Sequence, residues 1–256
     1  EEDKIRQCLE SLKDVADEIV VVDSMSTDAT KSICEEFGVM FIEQKWLGYS
    51  EQKNLANKLA SHDWILSIDA DEVLSDELKK SILEIKNIDT DTDTDTDIDT
   101  DIDTDTDIDI VFSFNRLNNY CGKWIHHGGF YPDRKIRIWN RNIGKWEGIV
   151  HEVIKFSTKV KEIRLKGDLL HYSYSKPEDF EKQLFKFAEM RAQHYLETGK
   201  KNAGLLSIIS PIYYFFQHYI LRLGFLDGKE GLTICRVGAK ATRHKYKTLI
   251  KLKTES

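Results

Sequence analysis

The chain has 256 residues, is 41% hydrophobic and 11% aromatic, and carries a formal net charge of −7. This length and composition suit a globular protein with one large domain, or one domain with an appendage. The four cysteines are far apart and form no Cys-x-x-Cys pair, which favours reduced thiols over a disulfide framework or a zinc site. No basic stripe with interleaved aromatics occurs before the C-terminal tail, which argues against a nucleic-acid-binding protein.

One repeat dominates the net charge. Every odd position from 89 to 109 is Asp, and removing these 11 residues changes the net charge from −7 to +4. The rest of the chain is therefore mildly basic, which weakly favours an anionic ligand or a membrane surface. We expect residues 88–110 to form a disordered insertion, because neighbouring Asp side chains repel each other. A calcium site is the alternative, but the repeat lacks the turn-forming Gly of calcium loops.

Residues 1–87 alternate between amphipathic helices and buried strands. The predicted helices are EEDKIRQCLESLKD, STDATKSICEEFG, SEQKNLANKLASH and SDELKKSILEI, and the predicted strands are EIVVVDS, VMFIEQ and WILSID. Ser26 or Thr27 is the expected cap of the second helix, and Ser50 that of the third. This order predicts an α/β fold with a mostly parallel sheet flanked by helices. Because such domains usually begin with a strand, we expect that a first strand is missing.

The pattern changes from residue 111 onward. Residues 111–175 alternate in short stretches such as RKIRIWN, which predicts short and partly antiparallel strands. Residues 176–256 predict a C-terminal helical region. Its apolar segment LLSIISPIYYFFQHYILRLGF has too short an uncharged apolar run to span a bilayer, and its tail is basic and amphipathic. This region either lies on an anionic membrane surface or packs on the domain.

Three carboxylates follow predicted buried strands. Asp23 ends EIVVVDS, Asp69 ends WILSID, and Asp71 comes two residues later in SIDADE. Because ligands of an open parallel sheet bind beyond the carboxyl ends of its strands, we predict a nucleotide site near these residues. Helix capping is the alternative for Asp23 and Asp69. No Asp-x-Asp pair of the repeat follows an apolar strand, so position favours the pair in SIDADE.

Five stretches of the sequence together resemble the family 2 glycosyltransferases of GT-A fold. They are EIVVVDSMSTDAT, QKNLA, DWILSIDADE, GGFYPDRKIRIW and the HE at 151–152. Within that family they look like the lipopolysaccharide core-biosynthesis β-1,4-glucosyltransferases. The resemblance covers nearly the whole chain except the Asp repeat. It implies a nucleotide-sugar-binding half at 1–87 and an acceptor-binding half at 111–175.

The resemblance also implies an activity. Such enzymes are inverting and metal-dependent, and they move a hexose from a nucleotide sugar to a hydroxyl group. For this chain we expect glucose from UDP-glucose as the donor and a lipid-linked saccharide such as a lipopolysaccharide core as the acceptor. We expect a cytoplasmic protein, peripheral on the inner face of the cytoplasmic membrane.

Residue roles follow from the matching motifs. The resemblance implies that Asp23 contacts the nucleoside and that Lys53 lies near the nucleotide. It implies Mg²⁺ or Mn²⁺ bound by Asp71, with Asp69 on ribose or metal and His171 as a further metal ligand. It implies Glu152 as the catalytic base. The chemistry agrees, because a hard cation neutralises the leaving diphosphate and one carboxylate must accept the hydroxyl proton.

These roles have alternatives. Asp133 is the rival base, and a hydrogen-bonded core histidine is the alternative for His171. Glu72 is expected to be a charge at a helix N-terminus rather than a support of the metal site. For Arg134 and Arg137, surface charge is favoured over phosphate binding. Four further side chains are predicted either to line the acceptor site or to belong to the core. They are Trp124, His126, His127 and Tyr131.

Two other functions stay open at this stage. The first is a nucleotide-sugar-binding relic without catalysis, suggested by the missing first strand. The second is an acidic interaction module built on residues 88–110.

Overall fold

The computed structural model describes residues 2–88, 108–148 and 152–255. Of the predicted insertion at 88–110, residues 89–107 lie outside the described residues. Ile88 is the last residue of a helix, and Ile108 is the first residue of a strand.

The first part of the chain contains the predicted helices and strands in the predicted order. Four helices are formed: α1 (Glu2–Leu12), α2 (Thr30–Glu36), α3 (Tyr49–Leu59) and α4 (Asp76–Ile88). Between them lie the strands β1 (Val20–Asp23), β2 (Met40–Glu43), β3 (Trp64–Leu66) and β4 (Glu72–Leu74). The strand predicted from WILSID therefore ends earlier, and β4 is a strand that the sequence pattern did not predict.

The second part of the chain begins with strands and ends with helices. The strands are β5 (Ile108–Tyr120), β6 (Lys123–Ile125), β7 (Asp133–Asn140), β8 (Gly144–Glu147), β9 (Val153–Phe156) and β10 (Lys159–Tyr174). The helices are α5 (Pro177–Glu197), α6 (Ala203–Phe215) and α7 (Gly228–Glu255), with a π-helical turn at Phe216–Leu221 and a 3-10 turn at Gly224–Asp227. Among the described residues, no helix has both the length and the apolar character to cross a membrane.

Two capping predictions are wrong. Helix α2 begins at Thr30, so neither Ser26 nor Thr27 caps it. Helix α3 begins at Tyr49 after Gly48, and the hydroxyl of Ser50 donates to the carbonyl oxygen of Gly148 at 2.6 Å instead. A Ser or Thr near a predicted helix start can cap that helix or can bond to a loop that is distant in sequence. The sequence pattern does not distinguish the two.

The α/β class is confirmed, but the larger sheet is not mostly parallel. Strands β1 and β2 pair in parallel, with Val20 opposite Met40. A six-stranded sheet has the order β3-β7-β5-β10-β4, with β6 paired to β5. In it, β3 with β7, β4 with β10 and β5 with β6 are antiparallel. An apolar run shows that a strand is buried on both faces but not the direction of its neighbour.

The chain divides into two compact units. The first comprises the residues up to Arg116 together with Arg134–His171, and the second comprises Leu117–Asp133 and the residues from Tyr172 onward. These bounds differ from the predicted divisions at 111–175 and 176–256. In the first unit, α1, α4 and the sheet enclose a core that includes Leu12, Leu78, Phe114 and Leu169.

One glycine permits a close approach in that core. Gly167 in β10 has φ +88°, and a Cβ at this position would clash with the backbone of Leu78 in α4. The missing side chain therefore lets the first turn of α4 lie directly against the sheet.

Candidate active site

The SIDADE segment forms a tight turn between β3 and β4. The backbone N–H of Asp69 donates to the Glu72 carboxylate at 2.8 Å, and the N–H of Glu72 donates to the carbonyl oxygen of Asp69 at 2.9 Å. The N–H of Ser67 donates to the carbonyl oxygen of Arg137 in β7 at 2.9 Å. These bonds fix the backbone that carries both Asp69 and Asp71.

Glu72 is the buried anchor of this turn. Its side chain is fully buried, and its carboxylate lies 2.7 Å from the guanidinium of Arg137, which is only 3% exposed. Arg116 lies 3.5 Å from the same carboxylate. Arg137 also donates to the carbonyl oxygen of Ser67 at 3.2 Å. A buried carboxylate with two guanidinium partners and a backbone donor is well compensated for the loss of water.

Two predictions are corrected by this pair. Glu72 is not a charge at a helix N-terminus, because it lies in β4 and α4 begins at Asp76. Arg137 is not a surface charge, because β7 runs beside β3 and places its side chain inside the unit. Arg134, by contrast, is half exposed and lies 3.7 Å from Glu162, as expected for a surface charge.

Lys53 of α3 links two of the predicted site carboxylates. Its ammonium lies 2.9 Å from Asp69 and 3.8 Å from Glu152. It also lies 4.6 Å from the centre of the Trp146 ring, in cation–π geometry. Lys53, Asp69 and Glu152 therefore come together although they are far apart in sequence.

The Asp69 carboxylate is held in its charged form. Burial alone would raise its pKa, but the guanidinium of Arg137 at 3.7 Å and the ammonium of Lys53 outweigh that effect. The pKa of Asp69 is thereby lowered to about 2. Asp69 is thus a permanent anion at neutral pH, already balanced by two cations.

Asp71 and His171 form a second contact of the site. Nε2 of His171 lies 3.3 Å from the Asp71 carboxylate. The pairing of β4 with β10 places His171 opposite Glu72, one residue after Asp71. The predicted proximity of these two candidate metal ligands is therefore present.

The donor set fits a divalent cation only in part. Asp71 and His171 offer carboxylate oxygen and imidazole nitrogen, which Mg²⁺ or Mn²⁺ accepts alongside phosphate oxygens and water. Asp69 is engaged by Lys53 and Arg137 instead. Within residues 2–88, 108–148 and 152–255, no group of three or more His, Cys, Asp or Glu side chains is arranged around a metal position.

Asp23 stands at the end of β1, as predicted, but it does not cap a helix. Both of its carboxylate oxygens accept hydrogen bonds from Ser26, one from the backbone N–H at 2.7 Å and one from the hydroxyl at 2.6 Å. In the same loop, Ser24 accepts a hydrogen bond from Gln52 of α3 at 3.2 Å. Asp23 shapes the loop after β1, and its contact with a nucleoside stays a prediction.

The rival base and the candidate acceptor-site residues lie in the second unit. Asp133 is the first residue of β7 and belongs to that unit, as do Trp124, His126, His127 and Tyr131. Nδ1 of His127 lies 3.0 Å from Asp227, whose carboxylate also accepts the backbone N–H groups of His126 and His127. The sequence contains no signal for this role of Asp227, because the two segments are a hundred residues apart.

Trp146 and Asn54 are further residues that sequence reasoning missed. The side-chain amide of Asn54 donates to the carbonyl oxygen of Trp146 at 2.9 Å and accepts its backbone N–H at 3.0 Å. This reciprocal pair fastens β8 to α3 and holds the indole ring beside Lys53. Asn54 follows Lys53 directly in the QKN motif, which is the one sequence signal available for it.

The cysteine near the site is not a nucleophile. Burial raises the pKa of Cys8 to about 12, assisted by the negative charges of Glu72, Asp71 and Asp69. The thiolate is the reactive form of cysteine, so Cys8 stays inert at neutral pH. All four cysteines are free.

The model of the glycosyl transferase family 2 matches residues 1–129, which is half of the chain. The chain belongs to glycosyl transferase family 2. This family 2 glycosyltransferase is 28% identical over 239 residues to an uncharacterized glycosyltransferase of Rickettsia typhi, covering 90% of the chain and 77% of the relative. It is 27% identical over 249 residues to the lipopolysaccharide core biosynthesis glycosyltransferase LpsC of Rhizobium meliloti, covering 93% and 84%.

Among solved structures, this family 2 glycosyltransferase is similar to residues 1–349 of S. aureus TarS. The identity is 16% and the TM-score is 0.41, with 100% of this chain and 89% of that chain covered. The predicted family and the α/β fold class are confirmed. The donor sugar, the acceptor, the metal and the role of each site residue stay predictions.

Proposed function

We propose that this family 2 glycosyltransferase is an inverting, metal-dependent hexosyltransferase. It moves glucose from UDP-glucose to a lipid-linked saccharide such as a lipopolysaccharide core, at the inner face of the cytoplasmic membrane. The observation that carries the proposal is the convergence of Lys53, Asp69 and Glu152 next to the Asp71–His171 contact. The similarity to LpsC, named for lipopolysaccharide core biosynthesis, supports the acceptor class.

Asp71 and His171 would hold Mg²⁺ or Mn²⁺. When bound, the cation supplies positive charge to the diphosphate that leaves from the donor. Asp69 cannot add much to that cation while Lys53 and Arg137 contact its carboxylate. Asp69 instead holds the ammonium of Lys53 in place, and this cation would attract the anionic diphosphate of a bound donor.

Glu152 takes the proton of the acceptor hydroxyl. The hydroxyl oxygen forms a bond to the anomeric carbon while the bond from that carbon to the diphosphate oxygen breaks, and the electron pair leaves with the diphosphate. The Glu152 side chain is partly exposed, so an acceptor hydroxyl can reach it. The ammonium of Lys53, 3.8 Å away, attracts its carboxylate. A base of this kind contributes about 10²–10⁴-fold to the rate.

The test is transfer of glucose from UDP-glucose in the presence of Mn²⁺, with UDP release as a second readout. We expect Asp71→Ala to lower turnover by about 10²-fold or more, because one electrostatic contact to the leaving group is lost. The matched control is Asp76→Ala at the exposed start of α4, which should keep full turnover. If Asp71→Ala keeps full turnover, the proposed role of Asp71 in metal binding is wrong. Mn²⁺-dependent UDP binding without transfer to any acceptor supports the non-catalytic relic instead.

The donor sugar is tested separately. A panel of nucleotide sugars, each with Mn²⁺, is compared by thermal shift on the intact chain. We expect UDP-glucose to raise the unfolding temperature most, because a ligand stabilises the native state according to its affinity. A larger shift with another sugar nucleotide would replace UDP-glucose in the proposal and leave the transferase class standing.

A further inference from the structure

The second unit exposes a row of large apolar side chains along α6 and the π-helical turn after it. We call this row the apolar face, and it consists of Leu205, Ile208, Ile212, Tyr213, Phe216 and Ile220. Leu205, Ile208, Ile212, Phe216 and Ile220 follow one another at intervals of three or four residues, which places them on one side of the helix, and Tyr213 lies beside Ile212. They are between 42% and 68% exposed, whereas the outer side of a helix in a globular protein is normally polar.

The chain's own core uses the other side of α6. Leu206 packs with Tyr246 and Leu249 of α7, and a Cβ at Gly238 of α7 would clash with the Tyr214 ring. Helix α6 is therefore apolar on both sides, and only one side has a partner among the described residues. A contiguous exposed apolar surface of this kind marks an interaction site.

Basic residues flank the apolar face at both ends in the sequence. Residues 202–221 contain no Asp, Glu, Lys or Arg. Lys200 and Lys201 precede this segment, and Arg222 and Lys229 follow it. The neighbouring helix α7 contains eight Lys or Arg and only two Glu. The face is thus uncharged along its length and basic at both ends.

Length and charge together select the partner. Helix α6 ends at Phe215, where the π-helical turn begins, and no helix among the described residues is both long and apolar enough to cross a membrane. The segment therefore cannot cross a bilayer, but it can lie in its surface plane. Basic ends complement anionic lipid headgroups, whereas two copies of the chain joined through this face would bring like charges together.

We propose that the apolar face docks on the surface of a lipid bilayer that carries anionic headgroups. The apolar side chains enter the boundary between headgroups and acyl chains, and the flanking Lys and Arg contact the headgroups. The inference deepens the proposed function, on whose membrane location it rests, by naming the surface that makes the contact. It would place a transferase for lipid-linked acceptors at the surface where those acceptors are found.

The experiment is co-sedimentation of the intact chain with phosphatidylcholine vesicles that contain or lack phosphatidylglycerol. We expect binding to the anionic vesicles that weakens with added salt. The variant Ile212→Glu should lower the partition coefficient by about 10-fold or more, because it places a charge in the centre of the face. The control Met40→Glu makes the same change at an exposed apolar residue of β2 in the first unit, and its binding should be unchanged.

Several outcomes would overturn the proposal. These are equal binding of Ile212→Glu and Met40→Glu, equal binding to both kinds of vesicle, and self-association without vesicles that Ile212→Glu abolishes. The last result would assign the face to a second copy of the chain. Ile212→Gln, which adds no charge, shows by circular dichroism whether the position tolerates a polar side chain. UDP release from UDP-glucose, measured without vesicles on the same variants, separates a failure of docking from a failure of the proposed transferase.

Discussion

Glu72 and Arg137 form a buried ion pair, 2.7 Å apart, that holds the turn carrying Asp69 and Asp71. Glu72 reaches that turn through the backbone N–H of Asp69, and Arg137 reaches it through the carbonyl oxygen of Ser67. Because neither side chain is accessible to solvent, the pair acts on the site by positioning it.

Removing one partner of this pair should destabilise the fold strongly. Glu72→Ala and Arg137→Ala should each lower the free energy of unfolding by about 3–5 kcal/mol, because each leaves a buried charge without its main partner. The double variant Glu72→Met/Arg137→Met should lose much less than the sum of the two. Urea unfolding followed by circular dichroism measures all three. Additive losses would show that the two side chains act independently.

Lys53 should control the titration of Asp69. In Lys53→Met, the pKa of Asp69 should rise by about one unit, because one of its two cationic neighbours is lost. Since the pKa of Asp69 is lowered to about 2 in the native chain, its stabilising effect is complete above about pH 4 and is lost as the pH falls through about 2. NMR titration of the carboxyl carbon checks this, with Lys58→Met on the same helix as control. An unchanged pKa would show that Arg137 alone holds the charge.

Glu152 should be needed for transfer and not for donor binding. Glu152→Gln should lower kcat by about 10²–10⁴-fold while the affinity for UDP-glucose stays close to normal. Glu147→Gln changes an exposed glutamate paired with Lys155 and should have no effect. If Asp133→Asn abolishes transfer while Glu152→Gln does not, the base is Asp133.

Gly167 should tolerate no side chain. Gly167→Ala should lower the free energy of unfolding by about 3 kcal/mol or more, because the left-handed backbone and the clash with Leu78 both act against it. Gly122→Ala has a similar φ of +91° but open space around it, so it measures the backbone effect alone. Equal losses in the two variants would mean that α4 moves away to make room.

The sequence predicts well what local patterns decide. The order of α1 to α4, the strand ending at Asp23 and the placement of Asp69 and Asp71 after the strand β3 all follow from periodicity and turn residues. The family motifs predict that Lys53 and Asp69 both lie at the nucleotide site, but they do not predict the ion pair between them. Their contact with Glu152 depends on pairings between distant strands, which periodicity does not encode.

Arg137 shows why the rest was missed. The alternation in RKIRIWN places Arg137 at a polar position. If only one face of the sheet were covered, a polar position would predict a side chain that faces solvent. In the structure, three consecutive residues of β7, Arg137 to Trp139, are buried, so both faces are covered. The charge is tolerated there only because Glu72, 65 residues earlier, ends up beside it. The sequence places Glu72 at a helix N-terminus because β4, with only three residues, is too short to show a strand pattern.

The two compact units are each discontinuous in sequence, and this has a consequence for engineering. The core of the second unit combines Tyr120 and Ile125 with Phe180 and Ile234. Between these two pairs of residues in the sequence lies Arg134–His171, which belongs to the first unit. A chain cut after His171 would therefore keep Tyr120 and Ile125 but lose the helices that cover them. The helical region cannot be exchanged between related enzymes as an independent cassette, and a chimera must carry residues 117–133 along with it.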